Sequence, residues 1–373
     1  MKKKLLTILV IFIILTFCFT GCTNGYTEWW ASKGEEKKSP SLTDDTPGQN
    51  TTPDGPKDAG QSTLPVSKVY RMKVVYHHKI SHITSLASCI MHQLPELTYP
   101  RVLVYARPTR FYFDEGVREY NMGPAPLVFS MLDIVKNSNF CPTIGYRGIP
   151  TNDTKILQDN LEENCSVLKE CKNARQLFQI IKMKVVDSLP VIAQVDLKEL
   201  GITDKTCYDF VIITGYDQEH VYVYFTWKMD ALPTKIVFSD FIEAWSVDDD
   251  TAVFSSNFIL CPNSDGQPPN IRSMEDILRE DALQAPDNIE EFINYVDDTQ
   301  HIPAMIGDSG QQMAHAASIY YEELGQSDLS QLYNTAVDIY SKMEDNMEVE
   351  EYLEICRQLK EVYRQAALLM NNK

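Results

Sequence analysis

The sequence predicts an α+β domain followed by a wholly helical one, and three observations carry that expectation. Between residues 66 and 263, short β-branched and aromatic runs alternate with amphipathic stretches. Most of those runs follow one another closely, as antiparallel neighbours do. Beyond NSDGQPPN (263–270), a linker rich in turn-forming residues, apolar and acidic residues recur only at helical spacing.

Taken in chain order, VYRMKVVY (69–76) is β-branched and aromatic and reads as a strand. A helix begins near Ser81 in HKISHITSLASCIMHQLPE; Leu86, Ile90 and Leu94 mark one apolar face and Pro95 ends it. Arg101–Ala106 and Arg110–Phe113 read as short strands. PAPLVFSMLDIVKN is a helix with proline near its first turn. Ala174–Val186 is a further helix, and LPVIAQVDL (189–197) a strand. A hairpin follows: Phe210–Thr214, a Gly-Tyr-Asp turn, and Val221–Phe225 coming back. TKIVF (234–238) is a strand, DFIEAW an Asp-led helix, and NFILCP the closing strand. The helical part is expected over 273–283, 287–298, 309–324, 327–344 and 347–370.

The front of the chain points to export. MKKKLLTILVIFIILTFCFTGC has three lysines, an apolar run from Leu5 to Phe19, and Thr20-Gly21-Cys22. That is the layout of a secretory signal over 1–21, and the run is short of the roughly 20 residues that span a bilayer. A cysteine after a small residue resembles the lipobox of bacterial lipoproteins. The resemblance implies that Cys22 is acylated and anchors an extracytoplasmic protein to the lipid bilayer. Residues 22–65 are poor in apolar side chains and are expected to form a flexible tether. Within it, Tyr26, Trp29 and Trp30 suit contact with a membrane interface.

Formal net charge is −18, and −21 once the three lysines of the leader are subtracted. So acidic a surface argues against nucleic acid as a partner, because that affinity rests on Lys and Arg neutralising phosphates. Seven cysteines follow Cys22, at 89, 141, 165, 171, 207, 261 and 356. None has the spacing of a metal-binding pair, and no metal or other cofactor is expected. Cys165 and Cys171 are placed to close a small disulfide loop in an exported protein.

SHITSLASCI, LPVIAQVD and FVIITGYDQEHVYVY occur in an order that resembles the papain-like cysteine enzymes. The likeness is to the double-glycine-leader bacteriocin-processing peptidases in particular. IGDSGQQMAHAASIYYEEL (306–324) is similar to a glycine-rich helix start in relatives of the butirosin-biosynthesis protein H N-terminal domain family, which place a papain-like domain before a helical one. The resemblance implies a papain-like domain over 66–263 and a helical domain over 264–373. It puts the nucleophile position on Ser81, the base position on Asp209 and the orienting position on Phe225. Such chemistry needs a thiolate at a helix N-terminus, an imidazole to take its proton, and a polar group to orient the imidazole. Serine, aspartate and phenylalanine do not supply these, since an ordinary carboxylic acid is a feeble base toward an alcohol.

Substitutes are few. Cys89 lies eight residues beyond Ser81, about 12 Å along the helix, and reads as core. Cys207, two residues before Asp209, sits where a strand edge meets the candidate cleft. His77, His78 and His82 lie together and suit a base or ligand role, or plain surface and capping roles. Ser81 itself suits a helix N-cap. GDSG (307–310) lacks the lysine and preceding strand of a P-loop and reads as a helix start; VDDDT (247–251) lacks EF-hand spacing and reads as a solvated turn. The expectation is a non-catalytic binding module for a peptide or acylated small molecule. The alternative is an active peptidase or acyltransferase with rearranged residues.

Overall fold

The computed structural model describes residues 64–77, 80–113, 121–138, 140–161, 166–168, 173–246, 252–263, 273–303, 306–344 and 346–371. Residues from 62 onward form one compact unit of mixed helix and mainly antiparallel sheet, with a C-terminal helical part. In chain order the described elements begin with β1 (Lys68–Val69), α1 (Ser81–Gln93), α2 (Tyr99–Tyr105), α3 (Leu127–Ser138), β2 (Thr143–Gly145), α4 (Asn152–Leu161) and β3 (Ser166–Leu168). Next come α5 (Ala174–Val186), β4 (Val191–Asp196), β5 (Tyr208–Tyr216), β6 (His220–Phe225), β7 (Thr234–Val237), α6 (Phe238–Trp245) and β8 (Ile259–Cys261). The helical part is α7 (Met274–Thr299), α8 (Ile306–Glu323), α9 (Ser327–Tyr340) and α10 (Val349–Asn371).

The strands order as β3-β2-β8-β4-β5-β6-β7, with β1 on β5; β2–β3 is a parallel pair and the other ladders are antiparallel. Both faces of the sheet are covered, which is why β4 and β5 read as near-continuous apolar runs. One face, with Ile192, Phe210, Ile212, Tyr224 and Leu260, packs under α1 and its neighbours. The other, with Val191, Val211, Ile213, Val223 and Phe225, is covered by α5 and α6. α1 is buried at every position from His82 to Ile90, so its single predicted stripe understates it: it is a central helix.

Several elements differ from the sequence expectation. The runs read as strands at 101–106 and 110–113 are instead a helix, Tyr99–Tyr105, started by Pro100, and an isolated bridge from Tyr112 to Gly123. A seven-residue apolar run buried on several sides carries no period that separates helix from strand. Of the 69–76 run only Val69 pairs as a strand, within Lys68–Val69; Tyr70 N–H still bonds Thr214 O, and just past the run His77 N–H bonds Thr226 O. The predicted pair 273–283 and 287–298 is one helix of 26 residues running through Pro286. α4, β2 and β3 were not anticipated.

The helical part shares cores with the α+β part. Ile277 of α7 and Met313 and Ala316 of α8 enter the cluster around α1. Val104 of α2, and Phe111 beyond it, enter the cluster of the helical part. Gly307 and Gly310, singled out above as a helix start, lie on α8 where it meets α9: a Cβ at 310 would stand 2.2 Å from the Tyr340 ring.

Candidate functional site

The start of α1 sets the site. Its N-cap is Ile80, which offers no side-chain acceptor, and no acid occupies its first turn. The expected cap role for Ser81 is therefore corrected: Ser81 is the first helical residue, half-buried, and lies close enough to Asp209 for its hydroxyl to favour that carboxylate. Asp209, second residue of β5, is buried and accepts the Phe210 N–H at 2.7 Å. Burial pushes its carboxyl above the usual range, while Ser81, the Phe210 amide and the Trp227 indole pull it back down. A carboxyl so placed resists ionisation more than a surface aspartate does.

Trp227, in the turn just beyond the end of β6, lies beside Asp209. Trp227 is half-buried; its indole nitrogen is buried and lies outside hydrogen-bonding geometry, although its dipole still favours the Asp209 anion. Phe225 is buried in the cluster facing α5 and α6, 5.2 Å from the Trp227 ring. Lys228 lies over both rings, at 4.7 and 4.9 Å from their centroids.

The other sequence candidates are distributed as follows. His82, next to Ser81, is buried edge-on to Phe210 at 6.4 Å, and its Nε2 has no hydrogen-bond partner. Burial drives its pKa down to about 3, so the ring is neutral at physiological pH. His77 is buried, its backbone paired to Thr226 beside Trp227. Cys207 is exposed; its N–H donates to Asp196 at 3.0 Å, and partial burial together with Asp209 and Asp196 pushes its thiol up. A thiolate there would face two carboxyls instead of the cation that activates a cysteine. Cys89 is fully buried and its thiol is pushed well up by burial. His78, Cys22, Cys165, Cys171 and residues 247–251 lie outside the described residues. Among the described residues, no cluster of His, Cys, Asp or Glu is placed to hold a metal, and no helix is long and apolar enough to cross a membrane.

The arrangement presents a hydroxyl at an uncapped helix N-terminus, beside a buried carboxyl and an indole. It can hold a polar group of a ligand; Ser81 is paired with a carboxyl where a nucleophile would need an imidazole. Trp227 is the site residue that sequence reading missed. It sits in the turn after β6, where no pairing register carries a signal from the sequence.

The fold and site thus define an α+β protein with a serine–aspartate pair at the head of its central helix. No family model matches the chain, and no curated protein matches it. Among solved structures, the chain is similar to one described as a "putative C39-like peptidase from Bacillus anthracis", at 12% identity over 52% of this chain and 96% of that one, with a TM-score of 0.34.

Proposed function

We propose that this chain is an extracytoplasmic lipoprotein, anchored through acylated Cys22, whose papain-like region binds a peptide or acylated small molecule without thiol chemistry. In this reading 1–21 is the signal, 22–65 the tether, 66–263 the papain-like domain and 264–373 the helical domain. The observation that carries the binding reading is the buried Asp209 carboxyl set beside Ser81 and Trp227. It puts a hydroxyl, a carboxyl that resists ionisation and an aromatic wall where a papain-like enzyme needs a thiolate and an imidazole. Beyond Trp227, Met229 is 78% exposed and Leu232 51% exposed, and the loop carrying them is held by the Tyr76 hydroxyl on Asp230 O at 2.6 Å. Exposed apolar side chains in the loop that follows Trp227 suit an acyl chain or hydrophobic peptide.

The test is a reactivity measurement on the mature chain, with a fluorophosphonate and an iodoacetamide probe read by intact mass. Folded protein that leaves Ser81 unlabelled, and shows no more thiol labelling than an exposed cysteine gives, supports the binding reading. Stoichiometric fluorophosphonate labelling that Ser81→Ala abolishes would establish a serine enzyme in its place. The anchor is tested separately: Cys22→Ala is expected to move the protein from the membrane fraction to the soluble one and to abolish incorporation of an alkyne-tagged fatty acid.

A further inference from the structure

The segment that enters the sheet and the helix beside it carry a charge opposite to that of the chain as a whole. Residues 64–77 contain Lys68, Arg71 and Lys73, α5 contains Arg175, Lys182 and Lys184, and neither stretch has an acid. β1 packs on α5, so the two stretches meet. Burial alternates along the first of them: Met72 and Val74 are in the core, while Val69, Arg71 and Lys73 are exposed.

Contacts around Tyr216 gather this charge at the end of the sheet where β1 begins. Lys68 pairs in register with Tyr216 of β5, and the Tyr216 hydroxyl donates to Pro65 O at 3.0 Å. The Lys182 ammonium lies 4.9 Å from the Tyr216 ring centroid. Val66, 64% exposed, lines a surface groove with Asp217, His220 and Lys235, and Val69 and Met183 are exposed beside Lys68 and Lys182. Elsewhere on the surface cations are paired, as Arg101 is with Glu323, Lys360 with Glu290 and Arg364 with Glu361. Lys68, Arg71 and Lys182 have no carboxylate partner among the described residues. Of the acids near them, Asp217 already accepts the N–H groups of Glu219 and His220 and the Tyr222 hydroxyl, with Lys235 at 4.0 Å; Glu219 is exposed and opposes the patch.

We propose that this end of the sheet rests on the bilayer, with Lys68, Arg71 and Lys182 against anionic lipid headgroups and Val66, Val69 and Met183 at the interface. An acidic molecule can approach an anionic surface through a face where its own charge is locally reversed, because salt screens the remainder beyond about 8 Å. The proposal rests on the lipoprotein reading for the nearness of a membrane: residue 64 follows directly on the stretch expected to tether the chain to Cys22. A bilayer held that close meets the patch at high effective concentration, so weak headgroup contacts suffice. Asp209 lies seven residues before Tyr216 on β5, about 24 Å along the strand. The Ser81 site is therefore at the other end of the strand, on the aqueous side.

The test uses the mature chain with Cys22→Ala and an N-terminal histidine tag, held on vesicles by a nickel-chelating lipid, so that acylation plays no part in it. Lysines are acetylated with a water-soluble reagent and their rates read by mass spectrometry. Three states are compared: free protein, phosphatidylcholine vesicles, and vesicles that also contain phosphatidylglycerol. On the anionic vesicles Lys68 and Lys182 are expected to react about threefold or more slowly than in free protein, an effect that about 0.5 M salt removes. Lys360, on α10, should react at an unchanged rate. Arg71→Glu/Lys182→Glu should restore the Lys68 rate; Arg71→Glu alone, at an exposed position, serves if the pair fails to fold. Unprotected Lys68 and Lys182, equal protection on neutral vesicles, or protection of Lys360 in their place would each overturn the proposal. So would protection that survives Arg71→Glu/Lys182→Glu and is lost in Trp29→Ala/Trp30→Ala, which would assign the contact to the tether. The anchor stands or falls separately, on fatty-acid incorporation at Cys22.

Discussion

At Asp281 burial and pairing pull in opposite directions, and burial wins. Desolvation raises its pKa to about 7, against the Arg107 charge that lowers it. The folded protein therefore holds this proton more tightly than the unfolded chain, whose aspartates titrate near 3.9. The resulting stability is full below about pH 4 and is lost as pH rises toward 7, by something on the order of 4 kcal/mol. Urea titrations at pH 4.5, 6 and 8 are expected to show a steeper decline in wild type than in Asp281→Asn. Asparagine keeps an oxygen for Arg107 and has nothing to titrate. Parallel declines in the two proteins would mean that Asp281 is ionised throughout. Asp209 is displaced in the same direction by the same cause, so Asp209→Asn should also be better tolerated at pH 8 than at pH 4.5.

At the scale of elements, two glycines mark where the chain comes too close for a side chain. Gly215 of β5 faces β1: a Cβ there would sit 2.8 Å from Val69 Cγ2 and 2.9 Å from Lys68 O. Backbone cannot step aside as a flexible side chain can, so Gly215→Ala should unpair β1, seen as faster hydrogen exchange at Lys68 and Val69. Gly310 faces the rigid, fully buried ring of Tyr340. Gly310→Ala is expected to destabilise by about 1–3 kcal/mol through overpacking, even though alanine is the better helix former. A rise in Tm would show instead that helix propensity outweighs the clash.

The molecule as a whole is held together by the exchange of side chains between its two parts. Val104 and Phe111 pack among the C-terminal helices, while Ile277, Met313 and Ala316 pack beneath α1. Ending the chain after Pro262 would strip the cover from α2, and with it the support for the helix that carries Ser81. Such a truncation is expected to be aggregated or molten, with near-UV circular dichroism lost. A soluble fragment with native near-UV signal would show that the helical part is dispensable for the fold.

Much of this architecture was legible in the residues, and the reason is local. Ala174–Val186 has an Asn173 cap whose side chain accepts the Gln176 N–H, and a clean 3.6-residue stripe, so its limits follow from sequence alone. The β5–β6 hairpin is announced by its turn and its branched residues, and the C-terminal helices by sustained periodicity. What sequence alone determined, then, was the type of element wherever the period was long, the acidic net charge, and which residues head α1 and β5. Only the tertiary structure decided that 99–105 is helical, that Pro286 lies within a continuous helix, that Trp227 stands beside Asp209, and that Arg107 meets Asp281 across 174 residues. Those outcomes depend on strand register and on which surfaces exclude water, and burial of a residue by chain remote in sequence leaves no mark in the residues next to it.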